Sequence, residues 1–173
     1  MTRGLLIVNT GDGKGKTTAA LGLAFRALGQ GMRVCMIQFL KGSWKYGELE
    51  SAKRFEDLLE WHVCGRGFTW QTDNIEEDKR VAREAWDLAR SVIAENRHGM
   101  VILDELTYLI TYGVLDIETV ADALRNRPPE MHVAVTGRGA HPQLVDMADL
   151  VTEMTLIKHP FEQGVKAQKG IEF

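Results

Sequence analysis

The amino-acid sequence predicts an α/β fold with a mostly parallel sheet that is flanked by helices on both faces. Predicted strands and helices alternate along the chain, as they do when crossover helices connect parallel strands. The segments 5–8 and 33–39 are almost continuously apolar, so both faces of these strands should be covered. A glycine-rich turn follows the first strand and leads directly into a helix.

That turn has the layout of a phosphate-binding P-loop, which makes the predicted fold P-loop NTPase-like (RecA-like). Backbone N–H groups of such a loop converge on phosphate oxygens, and the helix N-terminus adds favourable partial charge. Lys16 is expected to hold the outer phosphates, and the Thr17 hydroxyl is expected to bind Mg²⁺ (or Mn²⁺). The strict pattern has glycine at position 10, where this chain has Thr10, so neighbouring glycines must supply the flexibility. The candidate nucleotide-binding residues are Gly11, Asp12, Gly13, Lys14, Gly15, Lys16, Thr17 and Thr18.

Composition restricts the class of protein. The 173 residues predict a single domain, 1–173, with 45% hydrophobic and 26% charged residues. A net charge of −3 argues against a nucleic-acid-binding surface. Cys35 and Cys64 form no C-x-x-C motif, and His62 beside Cys64 is too sparse a pattern to predict zinc. With no apolar run long enough for a membrane span and no signal peptide, the expected location is the cytoplasm.

The order of elements follows from periodicity and from the residues that interrupt it. The first helix should end near Gln30, and a helix whose N-cap is Asp73 should bury one apolar face. Further helices are expected at about 48–58, from about Asp116 and at 142–148. Strands are expected at 59–63, 132–136 and about 150–157, and the tail 158–173 should lie across the surface. The predicted buried face of the long helix is Ala82, Ala85, Trp86, Ala89, Val92 and Ile93, and that of the helix after Asp116 is Ile117, Val120, Ala121 and Leu124.

The strand at 100–103 ends in two acids, Asp104 and Glu105, which is the Walker B pattern. A carboxylate at this position reaches the Mg²⁺ beside a P-loop. Buried strands often end in Asp, so the pattern gains its meaning from the P-loop about ninety residues upstream. The sequence leaves open whether Asp104 or Glu105 would bind the metal directly.

Three further loops should meet the P-loop at the same edge of the sheet, where ligands of such folds bind. Arg138 follows the strand 132–136 and could bind phosphate, or it could be an ordinary solvated arginine. Trp44 and Tyr46 lie in one loop, and Phe68 and Trp70 lie in another. These aromatics suggest a second, large and flat ligand, although aromatic residues in loops also serve as core plugs.

Taken together, these motifs resemble the P-loop-type ATP:corrinoid adenosyltransferases. The matching segments are 10–20, Gly-Phe-Thr-Trp at 67–70, Val-Ile-Leu-Asp-Glu-Leu-Thr-Tyr at 101–108, Thr-Gly-Arg-Gly-Ala-His at 136–141, and much of 158–173. They occur in family order from near the first residue to the last. On this resemblance, Thr10 is the family's own variant of the P-loop.

The resemblance implies that the protein transfers the 5′-deoxyadenosyl group of ATP to the cobalt(I) of a reduced corrinoid, in adenosylcobalamin biosynthesis and salvage. Inorganic triphosphate would leave whole, stabilised by Lys16 and Arg138. It also implies that Phe68 and Trp70 help to displace the lower axial ligand of the corrinoid, and that Thr17, Asp104 and Glu105 are the metal-binding candidates. A homodimer and a flavin or flavodoxin-type electron donor are the expected partners.

Two other classes of function remain open at this stage. A small-molecule P-loop kinase would transfer the γ-phosphoryl group, and Glu105 could act as its base. A nucleotide-dependent binding module or RecA-like motor would bind a partner or a nucleic-acid strand, which the acidic composition disfavours.

Overall fold

The computed structural model of the protein describes residues 3–41, 46–65 and 75–173. Within these ranges, six strands form one sheet in the order β3-β2-β4-β5-β1-β6, and every neighbouring pair is parallel. The predicted α/β class and parallel sheet are therefore confirmed. No helix in the described part of the chain has both the length and the apolar character that a membrane crossing needs.

The elements follow the predicted order closely. The strands are β1 (Leu6–Thr10), β2 (Val34–Gln38), β3 (Leu59–Val63), β4 (Met100–Asp104), β5 (His132–Thr136) and β6 (Leu150–Glu153). The α-helices are α1 (Lys16–Gly29), α2 (Gly47–Ala52), α3 (Ile75–Glu95), α4 (Leu106–Thr111), α5 (Ile117–Arg125) and α6 (Pro142–Met147). Short 3₁₀ helices cover Lys53–Phe55 and Pro160–Gln163.

Two apolar layers cover the faces of the sheet. On one face, alanines of α1 pack against Ile7, Met36 and Ile102. On the other face, α3 and α5 pack against the alternate strand residues, such as Ile37 and Leu103. All six predicted α3 positions are buried, and Val120, Ala121 and Leu124 of α5 are buried as predicted.

The main differences from prediction are local. Helix α4, which begins directly after Glu105, was not predicted. The helix expected at 48–58 is the six-residue α2 followed by a 3₁₀ turn, and β6 ends at Glu153 rather than near 157. The expected N-cap, Asp73, lies outside the described residues.

Replacing Leu124 with alanine tests the packing of α5. Leu124 is fully buried in the layer beside α3, so removing its side chain leaves a cavity as well as losing apolar burial. We expect the free energy of unfolding to fall by about 3 kcal/mol in urea titrations. The exposed Thr119 on the same helix is the control, since Thr119→Ala should change stability by less than about 0.5 kcal/mol.

Candidate functional site

The sheet topology brings four strand ends together. The chain leaves β1 and skips two positions to form β2, and β4 and β5 later fill that gap. Because all strands are parallel, the carboxyl ends of β1, β2, β4 and β5 meet at one edge. The P-loop, Gln38, Asp104 and Thr136 therefore lie side by side.

The P-loop owes its shape to three glycines, which act in different ways. Gly11 has φ of 93° and Gly15 has φ of 110°, a region that side chains rarely adopt. Gly13 instead provides space, because a Cβ there would lie 2.7 Å from the carbonyl oxygen of Met154. The Gly13 N–H donates to that same carbonyl at 2.6 Å, so the segment after β6 supports the loop.

Thr10 explains the departure from the strict P-loop pattern. Its hydroxyl oxygen accepts a hydrogen bond from the backbone N–H of Ala140 at 3.1 Å. Ala140 belongs to the loop after β5, which also carries Arg138. The threonine therefore ties the start of the P-loop to the loop that presents the arginine, a contact that glycine could not make.

Lys16 is the first residue of α1 and is only 7% exposed. Its ammonium group donates to the carbonyl oxygens of Gly11 at 2.8 Å and Gly13 at 2.6 Å. Burial lowers the pKa of Lys16 from its ordinary value, and the charge of Glu105 opposes this. The charge is thus held inside the loop, at the place where a phosphate would sit.

Asp104 is fully buried and accepts hydrogen bonds from three side chains. Its Oδ1 accepts from the Thr17 hydroxyl at 2.8 Å and from the Thr136 hydroxyl at 2.7 Å. Its Oδ2 accepts from the Gln38 amide at 2.9 Å. The carboxylate of Asp104 is therefore fully engaged in joining the P-loop to β2 and β5.

Glu105 differs sharply from its neighbour. Its backbone adopts a left-handed conformation with φ of 66°, and its N–H donates to the Thr136 hydroxyl at 2.9 Å. Its Oε2 is buried and has no hydrogen-bond partner among the described residues. Burial and the charge of Asp104 raise the pKa of Glu105 from 4.5 to about 7. This carboxylate is therefore poised for a cation or a donor that comes from outside the protein.

The loop after β5 packs closely against α4. Gly137 has φ of 137°, and a Cβ there would lie 2.0 Å from the Thr107 hydroxyl. That hydroxyl donates to the Arg138 carbonyl oxygen at 2.7 Å. The Arg138 side chain is exposed and faces the cavity above the P-loop. This arrangement permits the contact with phosphate that the sequence left undecided.

A cavity of about 790 Å³ lies over the P-loop. Lys41 and Glu48, which are paired at 2.6 Å, and Tyr108 line it from the sides. The C-terminal tail closes another side, where Glu172 lies 3.6 Å from the ammonium of Lys14. The tail does lie on the surface, but it also forms part of the cavity. The cavity-lining residues from the tail and from the segment just before it are Leu156, His159, Phe161, Glu162, Gly170, Ile171, Glu172 and Phe173.

The structure brings most of the candidate site residues into one place. Asp12 to Thr18, Glu105 and Arg138 line the cavity, while Gly11 and Asp104 lie directly behind it. The aromatic candidates Phe68, Trp70 and Trp44 lie outside the described residues. Sequence reasoning did not assign Lys41, Glu48, Tyr108 or the tail to the site, although the tail belongs to the segments that carried the resemblance.

Comparison with known proteins gives a consistent result. The family described as ATP:corrinoid adenosyltransferase BtuR/CobO/CobP matches residues 2–173. A corrinoid adenosyltransferase of Pseudomonas aeruginosa is 46% identical over 171 residues, which cover 99% of this chain and 84% of that protein. The corrinoid adenosyltransferase of Escherichia coli K12 is 47% identical over 176 residues, which cover 99% of this chain and 86% of that protein. A corrinoid adenosyltransferase of Sinorhizobium is 46% identical over 173 residues, which cover 99% of this chain and 81% of that protein.

Proposed function

We infer that this chain, which belongs to the ATP:corrinoid adenosyltransferase family, transfers the 5′-deoxyadenosyl group of ATP to the cobalt(I) of a corrinoid. The main structural support for this proposal is the contact between the P-loop and the carboxyl end of β4. Thr17 contacts Asp104 at 2.8 Å, while the neighbouring Glu105 has a carboxylate oxygen beside the cavity with no partner in the described part of the chain. This arrangement supports the binding of a metal-bound polyphosphate.

The reaction is a displacement at the ribose C5′. The cobalt(I) of the substrate attacks C5′ with its electron pair, the cobalt–carbon bond forms, and the C5′–O bond breaks. The electron pair of that bond leaves with inorganic triphosphate. Because cobalt(I) is itself the nucleophile, the protein's task is to position the two substrates and to stabilise charge on the leaving group. Lys16, Arg138 and the loop N–H groups are suited to the second task.

A Mg²⁺ ion fits the residues present, since hydroxyl and carboxylate oxygens are the ligands it prefers. We propose that Thr17 and Glu105 hold it and that Asp104 acts by orienting the Thr17 hydroxyl. The buried, unpartnered Oε2 of Glu105 supports this division, because both oxygens of Asp104 already accept hydrogen bonds. When bound, the ion would neutralise part of the triphosphate charge.

Phe68 and Trp70 are proposed to wall off one corrin face and to displace the lower axial ligand. Losing an axial donor lowers the energy of the cobalt orbital that accepts an electron, so cobalt(II) becomes easier to reduce. Phe68→Ala and Trp70→Ala should therefore slow the reaction from cobalt(II) more than the reaction from pre-reduced cobalt(I).

The measurement is a comparison of initial rates from the two cobalt oxidation states, with Phe25→Ala as the control. Phe25 is 68% exposed on α1 and contributes nothing to the cavity lining, so its loss should leave both rates unchanged. Equal losses from both oxidation states in the Phe68 and Trp70 variants would contradict the axial-ligand role.

The proposed activity is tested by mixing the protein with Mg-ATP and chemically reduced cobalamin under anaerobic conditions. A light-sensitive, adenosylated corrinoid should form, detected by its change in visible absorption and by its photolysis. Formation of ADP with the corrinoid unchanged would instead point to a kinase.

We infer that residues 1–173 act as one domain, which the single sheet supports. A homodimer, a flavin or flavodoxin-type electron donor and a cytoplasmic location are expected from the family resemblance. The net charge of −3 supports the absence of nucleic acid among the partners.

A further inference from the structure

A second cluster of metal-ligating side chains lies on the α3 side of the sheet, away from the P-loop edge. It contains Cys35 on β2, Glu60 on β3 and His98 just before β4. The thiol sulfur, a carboxylate oxygen and a ring nitrogen all lie within 4.8 Å of one another. Cys35 and Glu60 are direct partners in the register of β2 and β3. Cys35 is three residues from the end of β2, so the cluster lies roughly 10 Å along the strand from Gln38.

His98 is a second indication that this cluster can bind a ligand. The residue is only 3% exposed, and its Nδ1 has no hydrogen-bond partner among the described residues. Its Nε2 lies 3.0 Å from Glu60 Oε2, so the two prospective ligands are already in contact. An imidazole buried in this way usually has a partner for each nitrogen, or it binds a metal.

Glu60 is already held in place for such a role. Its other oxygen, Oε1, lies 2.7 Å from Nε2 of His62, which is two residues along the same strand. This contact lowers the pKa of Glu60, whereas burial lowers the pKa of His98. The cluster therefore brings a carboxylate and an imidazole together, and both groups bind metal ions in proteins.

We propose that Cys35, Glu60 and His98 form a binding site for one Zn²⁺ ion, separate from the nucleotide cavity. Thiolate, imidazole and carboxylate are the ligands that zinc takes in proteins. Zinc bonds of about 2.0–2.3 Å place tetrahedral ligand atoms roughly 3.3–3.8 Å apart. The cluster therefore needs to contract by only about 1 Å, and water can take the fourth position on the half-exposed side of Glu60.

Charge and protons balance at this site. The Cys35 thiol loses its proton to solvent as the sulfur–zinc bond forms, with no change of oxidation state. One thiolate and one carboxylate then neutralise the two charges of the ion, which suits a site that is largely buried. When no metal is bound, burial and the charge of Glu60 raise the pKa of the Cys35 thiol to about 12.

The expected consequence is structural. Strand β3 is at the edge of the sheet, where β2 is its neighbour, and most of its residues are only partly buried. Zinc would join β3 to β2 and to the residue that leads into β4. Binding to the folded state alone stabilises that state by mass action.

The test uses the full chain, reduced and treated with chelator, and titrates it with Zn²⁺ in competition with a chromophoric chelator. Co²⁺ serves as a second probe, because a thiolate ligand gives it a charge-transfer absorption band. We expect one ion per chain, the band with Co²⁺, and a higher melting temperature with Zn²⁺. Cys35→Ser should lose the band and bind zinc at least about tenfold more weakly. Cys64→Ser, which removes the other cysteine, should behave like the parent protein.

Two further variants keep the test decisive. If Cys35→Ser fails to fold, Glu60→Gln alters a half-exposed side chain and should still lower zinc affinity at least about tenfold. Glu105→Gln removes the ligand proposed at the nucleotide site and should leave zinc binding intact. The proposal is overturned if the parent protein binds no stoichiometric zinc, or if the Cys35 and Glu60 variants bind it as the parent does.

Discussion

Replacing Lys16 with alanine should abolish ATP-dependent adenosyl transfer, with a loss in kcat of at least about 10²-fold to 10³-fold. The ammonium group of Lys16 is held inside the P-loop by the carbonyl oxygens of Gly11 and Gly13. A bound phosphate would interact with the Lys16 ammonium in place of these carbonyl oxygens. This interaction would strengthen as negative charge develops on the leaving triphosphate. The measurement is the rate of adenosylated corrinoid formation at saturating ATP.

A matched control separates this effect from a general change in charge. Lys53→Ala removes a lysine whose side chain is 68% exposed and paired with Glu50, away from the cavity. Its rate should equal that of the parent protein. Full activity of Lys16→Ala would remove Lys16 from the mechanism.

Glu105→Gln should reduce turnover by at least about 10²-fold while leaving the fold intact. The substitution removes the carboxylate proposed to hold Mg²⁺, but its buried oxygen makes no hydrogen bond with any described residue that the change would break. Turnover is measured over a range of Mg²⁺ concentrations, and stability is measured in urea. The variant should need more Mg²⁺, or should stay inactive at any concentration.

The stability of the metal-free protein should also change with pH in a defined direction. Burial and Asp104 raise the pKa of Glu105 in the folded state to about 7, from an ordinary value of 4.5. The folded state therefore binds its proton more tightly, and this contribution to stability is lost as pH rises from about 4.5 to 7. The Glu105→Gln variant should not lose stability over this pH range. Above pH 7 its free energy of unfolding should therefore be higher than that of the parent protein.

Asp104→Asn is the contrasting variant. Facing Gln38, the new NH₂ group would meet another donor, because Trp61 Nε1 already donates to Gln38 Oε1. Facing Thr17 and Thr136, it would require both hydroxyls to turn from donors into acceptors. We expect a loss of about 1–3 kcal/mol in unfolding free energy as well as a loss of activity. If Glu105→Gln is destabilised and Asp104→Asn is not, the division of roles between the two acids is wrong.

Much of this arrangement could be predicted because it depends on local patterns. The apolar face of α3 repeats at helical spacing, and its six predicted residues are buried. The P-loop and the acidic end of β4 are short motifs beside recognisable strands. Helix α4 was not predicted because it is only six residues long. It begins at Leu106, and only Glu105, with its left-handed backbone, separates it from β4.

Other features depend on contacts between distant segments, which no local pattern encodes. The difference between Asp104 and Glu105 arises from the strand order, which places Gln38 and Thr136 on either side of Asp104. The tail has no periodicity, yet it returns to the P-loop through Glu172. The cluster of Cys35, Glu60 and His98 forms only through the pairing of β2 with β3 and β4, so a search for spaced motifs along the chain does not find it.

The most direct test of the proposed chemistry is the phosphate product of a single turnover. The protein in excess over ATP labelled at the γ-phosphate is mixed with Mg²⁺ and cobalt(I) corrinoid, and the label is separated by ion-exchange chromatography. Displacement at C5′ predicts that all of the label leaves as inorganic triphosphate, in an amount equal to the adenosylated corrinoid formed. Label recovered as orthophosphate, with ADP as the nucleotide product, would contradict the transfer of the adenosyl group.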